Sequence, residues 1–275
     1  MNIGIIGFGN LGRALASGLV MSGCVSDGCL FVCDSSPQAR EAAQGAPYNA
    51  RTVEDINDVL QNASVLFLTV KSYVFEELSL AIDRNLLIGK TVVSFMAGMS
   101  IERILELLGS DIRGADSGSM AGSEAVAVTR ENESGLSLVR AMPSLAIATC
   151  EGVIGYTSAP PDISAIFHKL GFAFETEPEN IEKVMAFSSC GLGFAAYLID
   201  AFAAAGKDMG FSSENAVHIA ALTFKNAVDR GHFRETVSAV ATPGGATEQG
   251  IVHMDERGVY ETVASAVQKA YERMV

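Results

Sequence analysis

The sequence predicts an α/β protein in which an N-terminal doubly wound sheet is followed by an all-helical C-terminal domain, with boundaries at 1–160 and 161–275. Three observations predict it. Short apolar runs alternate with helical patterns through the first part of the chain. Those runs are continuously apolar rather than alternating, the mark of strands buried on both faces by flanking helices. From Ile181 onward the pattern is helical almost throughout, broken at 206–210, Gly231 and Gly244-Gly245.

Taken in order, residues 1–6 read as a strand, 11–22 as a helix with Leu15, Leu19 and Val20 on one side, and 30–33 as a second strand. Asp34-Ser35-Ser36-Pro37 is a turn that starts a helix over 37–44, and a further short helix is expected over 53–60. The run 64–70 is a buried strand, 74–88 a helix, 91–95 a strand and 100–108 a helix with Ile101, Ile104, Leu105 and Leu108 on its apolar side. Residues 109–135, rich in Gly, Ser and Ala, read as a surface insertion. Strands follow at 136–142 and 152–157, then a helix at 163–170 and an edge strand at 172–175. The last helix carries Val259, Val263 and Val267 with Ala266, Ala270 and Met274 in a stripe.

Composition removes several function classes. The 275 residues are 49% apolar and 19% charged, which excludes disordered and low-complexity chains. A formal charge of −13 argues against a nucleic-acid partner, although backbone N–H groups can still hold a small anion. Five cysteines without paired or Cys/His spacing indicate reduced thiols and no metal site. The chain opens on a strand rather than a leader, so a cytoplasmic location is expected. The stretch 184–206 is long enough to cross a bilayer, but Asp200, its serines and glycines, and the lack of basic flanks favour a buried helix and no membrane partner.

The most informative motif is Gly7-Phe8-Gly9-Asn10-Leu11-Gly12, set between strand and helix. The first glycine permits the tight turn, the second lets backbone approach a pyrophosphate, and the third lets the helix pack on the strand, its N-terminus facing the anion. Asp34 closes the second strand 22 residues beyond Gly12, where a carboxylate can accept from the adenosine ribose. The N-terminal domain is therefore read as a Rossmann-type dinucleotide-binding domain. Asp34 leans towards NAD, whereas Ser35, Ser36 and Arg40 could hold the extra phosphate of NADP. Downstream, Thr242-Pro243-Gly244-Gly245-Ala246-Thr247 forces a turn ahead of a helix. On its residues alone it reads equally as a carboxylate site or an ordinary helix–helix turn.

With these segments in place, the sequence resembles the pyrroline-5-carboxylate reductase family nearly end to end. The resemblance is carried by 3–12, Val70-Lys71, the Val-Val-Ser-Phe-Met-Ala-Gly run ending at Ala97-Gly98, Arg140-Ala-Met-Pro143 and, most specifically, Thr242–Thr247. It implies reduction of the C=N bond of 1-pyrroline-5-carboxylate, or a related cyclic imino acid, to L-proline by hydride from NAD(P)H, usually NADPH. It implies a helical dimerisation domain interleaved between two subunits, a homodimer or higher homo-oligomer. By the same resemblance, Gly7, Phe8, Gly9, Asn10, Leu11, Gly12, Asp34, Ser35, Val70, Lys71, Ala97 and Gly98 bind cofactor. Thr242, Gly244, Gly245, Ala246 and Thr247 bind the substrate, with Thr247 on the ring nitrogen as the catalytic residue.

The sequence departs from the family at Ser144-Leu145-Ala146, where an Asn-Thr-Pro is usual, and at 188–194, where Leu192 and Phe194 replace a Pro and a Tyr. Two alternatives accompany this reading. A β-hydroxyacid dehydrogenase shares the plan and has a Gly-rich loop resembling 115–122, but needs a lysine that 191–200 lacks. A non-catalytic NAD(P)-binding sensor would keep only the glycine turn.

Overall fold

The computed structural model describes residues 1–109 and 135–274. The expected insertion at 109–135, with the loop 115–122, lies outside the described residues apart from Gly109 and Gly135. Two compact units divide the chain, one spanning Met1–Ser189 and the other Cys190–Arg273.

The first unit is built on an eight-stranded sheet: β1 (Ile3–Ile6), β2 (Leu30–Cys33), β3 (Arg51–Val53), β4 (Val65–Leu68), β5 (Thr91–Ser94), β6 (Ser137–Pro143), β7 (Gly152–Tyr156) and β8 (Gly171–Glu175). Its order is β3-β2-β1-β4-β5-β6-β7-β8. All neighbours pair in parallel except β6 and β7, which are antiparallel. The continuous apolar runs are explained by two cores. Ile3, Ile5, Val65 and Phe67 pack on one face, and Ile6, Leu66, Leu68 and Val92 on the other.

The helices of this unit are α1 (Asn10–Met21), α2 (Pro37–Gln44), α3 (Ile56–Asn62), α4 (Ser72–Leu78), α5 (Ile101–Leu108), α6 (Pro161–Leu170) and α7 (Ile181–Val184). Ser36, Asp55 and Ser100 cap α2, α3 and α5 through their side chains, the short polar residues helix starts favour.

Several expectations are corrected. Residues 51–53 form edge strand β3, so the helix expected from 53 begins at Ile56, behind its cap Asp55. The helix expected over 74–88 stops at Leu78 and gives way to 3₁₀ turns at Ser79–Ala81 and Arg84–Leu87, the second capped by Asp83. The expected domain divide at 160/161 precedes the break between the units, because α6 and β8 complete the first unit and its sheet.

The second unit is helical, as expected: α8 (Cys190–Asp208), α9 (Ser213–Arg230), α10 (Phe233–Val240), α11 (Ala246–Glu256) and α12 (Val259–Glu272). The helical run Pro178–Asp208 is long and apolar enough by composition to cross a membrane, but only 6% of its apolar window is buried within this chain. The burial expected over 184–206 is not supplied within the single chain, where α8 buries only Ala203. A wider π turn over Met185–Ser189 joins α7 to α8 within that run. Among the described hydrophobic residues, the second unit buries only Ala203, Ala216 and Ala220, while Leu198, Phe202, Ile219 and Leu222 stay exposed.

Candidate active site

The strand order reverses between β1 and β4, so their carboxyl ends open a crevice where doubly wound sheets bind ligands. A cleft of about 680 Å³ lies there. It is lined by Gly7, Gly9, Asn10, Leu11, Asp34, Ser35, Val70, Lys71 and Ala97, nine of the twelve residues expected to bind cofactor.

The turn is shaped as its glycines demand. Gly7 has φ +96°, a conformation side chains resist, and its N–H donates to the Cys33 carbonyl at 2.8 Å. A Cβ on Gly12 would stand 2.1 Å from the Gly7 carbonyl oxygen, so α1 packs directly on the turn. A Cβ on Gly9 would meet nothing within 4 Å, leaving open space above the start of α1. No side chain caps that helix, and its first bond runs from the Arg13 N–H to the Gly9 carbonyl. The N–H groups of Asn10, Leu11 and Gly12 precede that bond and remain for an anion. These features fit a dinucleotide pyrophosphate.

Three expected residues do not line the cleft. The Phe8 ring is fully buried and meets Tyr48 edge-on at 5.4 Å, so Phe8 serves the core. Gly12 packs the helix. Gly98, at φ +65°, turns the chain after β5.

Asp34 does more than its expected role required. Its Oδ2 accepts from the Phe8 N–H at 2.6 Å and its Oδ1 from the Ser36 N–H at 2.8 Å, tying the glycine turn to the β2–α2 turn. Sequence reasoning missed Glu54, which also lines the cleft and pairs with Arg40. Arg40 in turn donates to the Asp34 and Ser35 carbonyls at 2.7 and 3.2 Å. Beside them, burial and then the Asp34 charge push the Cys33 thiol up to about 11, so it stays neutral.

The opposite end of the cleft is apolar. Phe95, Met96, Met142, Pro143, Leu145 and Met185 line it, with Ser189. Ser144 is buried, and its hydroxyl accepts from the Val153 N–H at 3.1 Å, away from the cleft. Ser72 fixes the wall by donating to the Ala97 carbonyl at 2.5 Å.

In the second unit, Gly244 at φ +74° and Gly245 make the turn into α11, which has no side-chain N-cap. Two expected substrate donors are already spent. The Gly244 N–H donates to Glu248 Oε2 at 2.6 Å, and the Gly245 N–H to the Thr242 carbonyl at 2.8 Å. The Gln249 N–H makes the first helical bond, to the Gly245 carbonyl. This leaves the first-turn N–H groups of Ala246 and Thr247, with the exposed hydroxyls of Thr242 and Thr247.

Comparison with known proteins follows the same two parts. Residues 178–275 match the family model for pyrroline-5-carboxylate reductase dimerisation, and residues 2–98 match that for NADP oxidoreductase coenzyme F420-dependent. The pyrroline-5-carboxylate reductase of Aquifex aeolicus is 25% identical over 99% of this chain and 96% of its own. That of Treponema pallidum is 26% identical over 98% of each. This chain is a relative of the pyrroline-5-carboxylate reductases. Solved structures carry the same fold. The Plasmodium falciparum reductase with NADP bound has TM-score 0.81 at 21% identity, covering 100% of this chain and 97% of its own. The Streptococcus pyogenes enzyme has TM-score 0.79 at 19% identity, covering 100% and 98%. This relative of the reductases is thus an oxidoreductase by class, and its dimerisation module supports assembly with copies of itself.

Proposed function

We propose that the protein reduces the C=N bond of 1-pyrroline-5-carboxylate, or a closely related cyclic imino acid, to L-proline with NAD(P)H, in the cytoplasm, as a homodimer with interleaved helical domains. The observation that carries this reading is the open, uncapped glycine turn at the head of a cleft, in a chain similar along its whole length to named reductases. When bound, the reduced nicotinamide supplies hydride to the imine carbon.

The chain's own part is mainly to bind and orient. The Gly7–Gly12 turn and the N–H groups of α1 hold the pyrophosphate, and Asp34 and Ser35 face the adenosine ribose. Val70, Lys71 and Ala97 line the path to the nicotinamide. At the start of α11 the Ala246 and Thr247 N–H groups hold the substrate carboxylate and Thr242 adds a hydroxyl. Thr247 Oγ holds the ring nitrogen. A protonated imine is already electrophilic, so orientation supplies most of the catalysis. The test is loss of nicotinamide absorbance on mixing protein, NADPH and 1-pyrroline-5-carboxylate. Tight cofactor binding without turnover on any imine or keto acid would favour the sensor instead.

The exposed apolar faces of α8 and α9 support the dimer, since a unit that buries three alanines needs another surface to cover it. Leu222→Glu, on the exposed side of α9, is expected to convert the dimer to monomers in sedimentation velocity; an unchanged dimer would place the interface elsewhere.

The cofactor is NADP by relationship, and the Asp34–Arg40–Glu54 corner sets how strongly it is preferred. Asp34→Ala is expected to weaken both cofactors by loosening the turn, and NADH more than NADPH, because the lost charge no longer opposes a ribose phosphate. Equal losses in fluorescence titrations with each cofactor would remove Asp34 from the ribose.

A further inference from the structure

Among the described residues, Arg140 and Glu182 form an ion pair with both partners buried, at 3% and 9% exposure, and the reaction described above uses neither. Arg140 Nη2 donates to Glu182 Oε1 at 2.5 Å and reaches the Met96 carbonyl at 3.5 Å. Among the described residues its buried Nε has no partner. A buried ion pair seldom repays the cost of desolvating both charges, and an unsatisfied donor adds to that cost. A well-packed apolar pair of similar volume is often as stable or more so, so stability alone does not account for the pair.

Its position does. Met96 lines one wall of the cleft, and the guanidinium lies against its carbonyl. Glu182 belongs to α7, which leads into the π turn that brings Met185 and Ser189 to the cleft. The far end of that turn is fixed by Ser189 Oγ, which donates to the Pro143 carbonyl at 3.0 Å. Arg140 is itself anchored, its N–H to Thr157 Oγ1 at 3.0 Å and its carbonyl to the Thr157 N–H at 2.8 Å. One guanidinium therefore joins the Met96 wall to the root of the π turn. π turns are locally widened helix, and they recur at functional sites.

Resting on the reductase reading, we propose that the Arg140–Glu182 pair is a positioning device that sets the separation of Met96 from Met185 and Ser189, and so where the imine lies relative to the nicotinamide. Arg140 and Glu182 are positioning residues and touch neither reactant.

The test compares the parent with Arg140→Met, Glu182→Leu, the double variant and Arg140→Lys. Each single apolar variant strands a buried charge and should lower Tm by about 5–10 °C. The double variant removes both charges and should recover most of that loss. Its kcat should nevertheless stay about tenfold or more below the parent, with the NADPH Kd within about twofold and amide exchange at 185–189 accelerated. Arg140→Lys keeps the charge without the planar fork and should give an intermediate kcat. A double variant with parental kcat and parental exchange overturns the proposal, as does an Arg140→Lys variant indistinguishable from the parent. If the parent reduces no cyclic imine, the reductase reading fails by itself. The exchange comparison then decides the pair: acceleration confined to 185–189 supports it, and parental exchange overturns it.

Discussion

Gly9→Ala is expected to leave the melting temperature within about 2 °C of the parent and to weaken NADPH binding by about tenfold or more. The two halves of this result have separate causes. A methyl group at Gly9 meets no atom of the protein within 4 Å, so folding has nothing to resist. The same methyl group projects into the space over the first turn of α1, where the pyrophosphate must approach the backbone closely. Gly12→Ala, three residues on, should behave in the opposite way. Its methyl group would lie 2.1 Å from a backbone oxygen, and backbone cannot rotate aside as a side chain can. Helix α1 must move off the turn, at a cost of about 1–3 kcal/mol in overpacking. Stability and cofactor binding then fall together. Thermal melts and nicotinamide fluorescence titrations read both quantities for both variants. A Gly9→Ala protein that binds NADPH like the parent would remove the pyrophosphate from this turn.

The turn was legible because its constraints are local: strand, three spaced glycines, helix and a distant acid occur in sequence order. The continuous apolar strands were legible for a similar reason, since burial on both faces leaves its mark on every residue of β1, β2 and β4. Features that depend on partners remote in sequence left no such mark. Strand β3 has three residues, Arg51–Val53, none of them buried, so it lacked an apolar run to announce it. Glu54 pairs with Arg40 across 14 positions, and Arg140 with Glu182 across 42. Charge spacing within one element reveals neither. Asp34 was placed at the cleft from its position after β2, but its bonds to Phe8 and Ser36 depend on how two turns meet. The apolarity of α8 is a different case: its composition reads the same whether its own fold or a second copy covers it, only the family resemblance points to a subunit interface, and within the single chain the helix stays largely exposed.

Thr247→Ala should lower kcat by about a hundredfold while leaving the NADPH Kd within about twofold, if Thr247 Oγ holds the ring nitrogen. The substitution removes the hydroxyl together with the Cγ2 methyl, and comparison with Thr247→Ser separates the two. Thr247 is the second residue of α11, and the first helical bond begins only at the Gln249 N–H, so the Thr247 N–H remains whichever side chain is present. Alanine keeps that donor and favours the helix, so the carboxylate grip and KM should change little. The hydroxyl is lost, and with it the hydrogen bond that orients the imine during hydride arrival. Thr247→Ser restores an oxygen on the same Cβ and should recover most of the rate. A fall in KM and kcat together would instead mean that the side chain shapes the turn, where the Thr242 carbonyl and Glu248 carboxylate already hold the Gly245 and Gly244 N–H groups. A parental kcat in Thr247→Ala would take this hydroxyl out of the reaction and leave α11 a carboxylate anchor only.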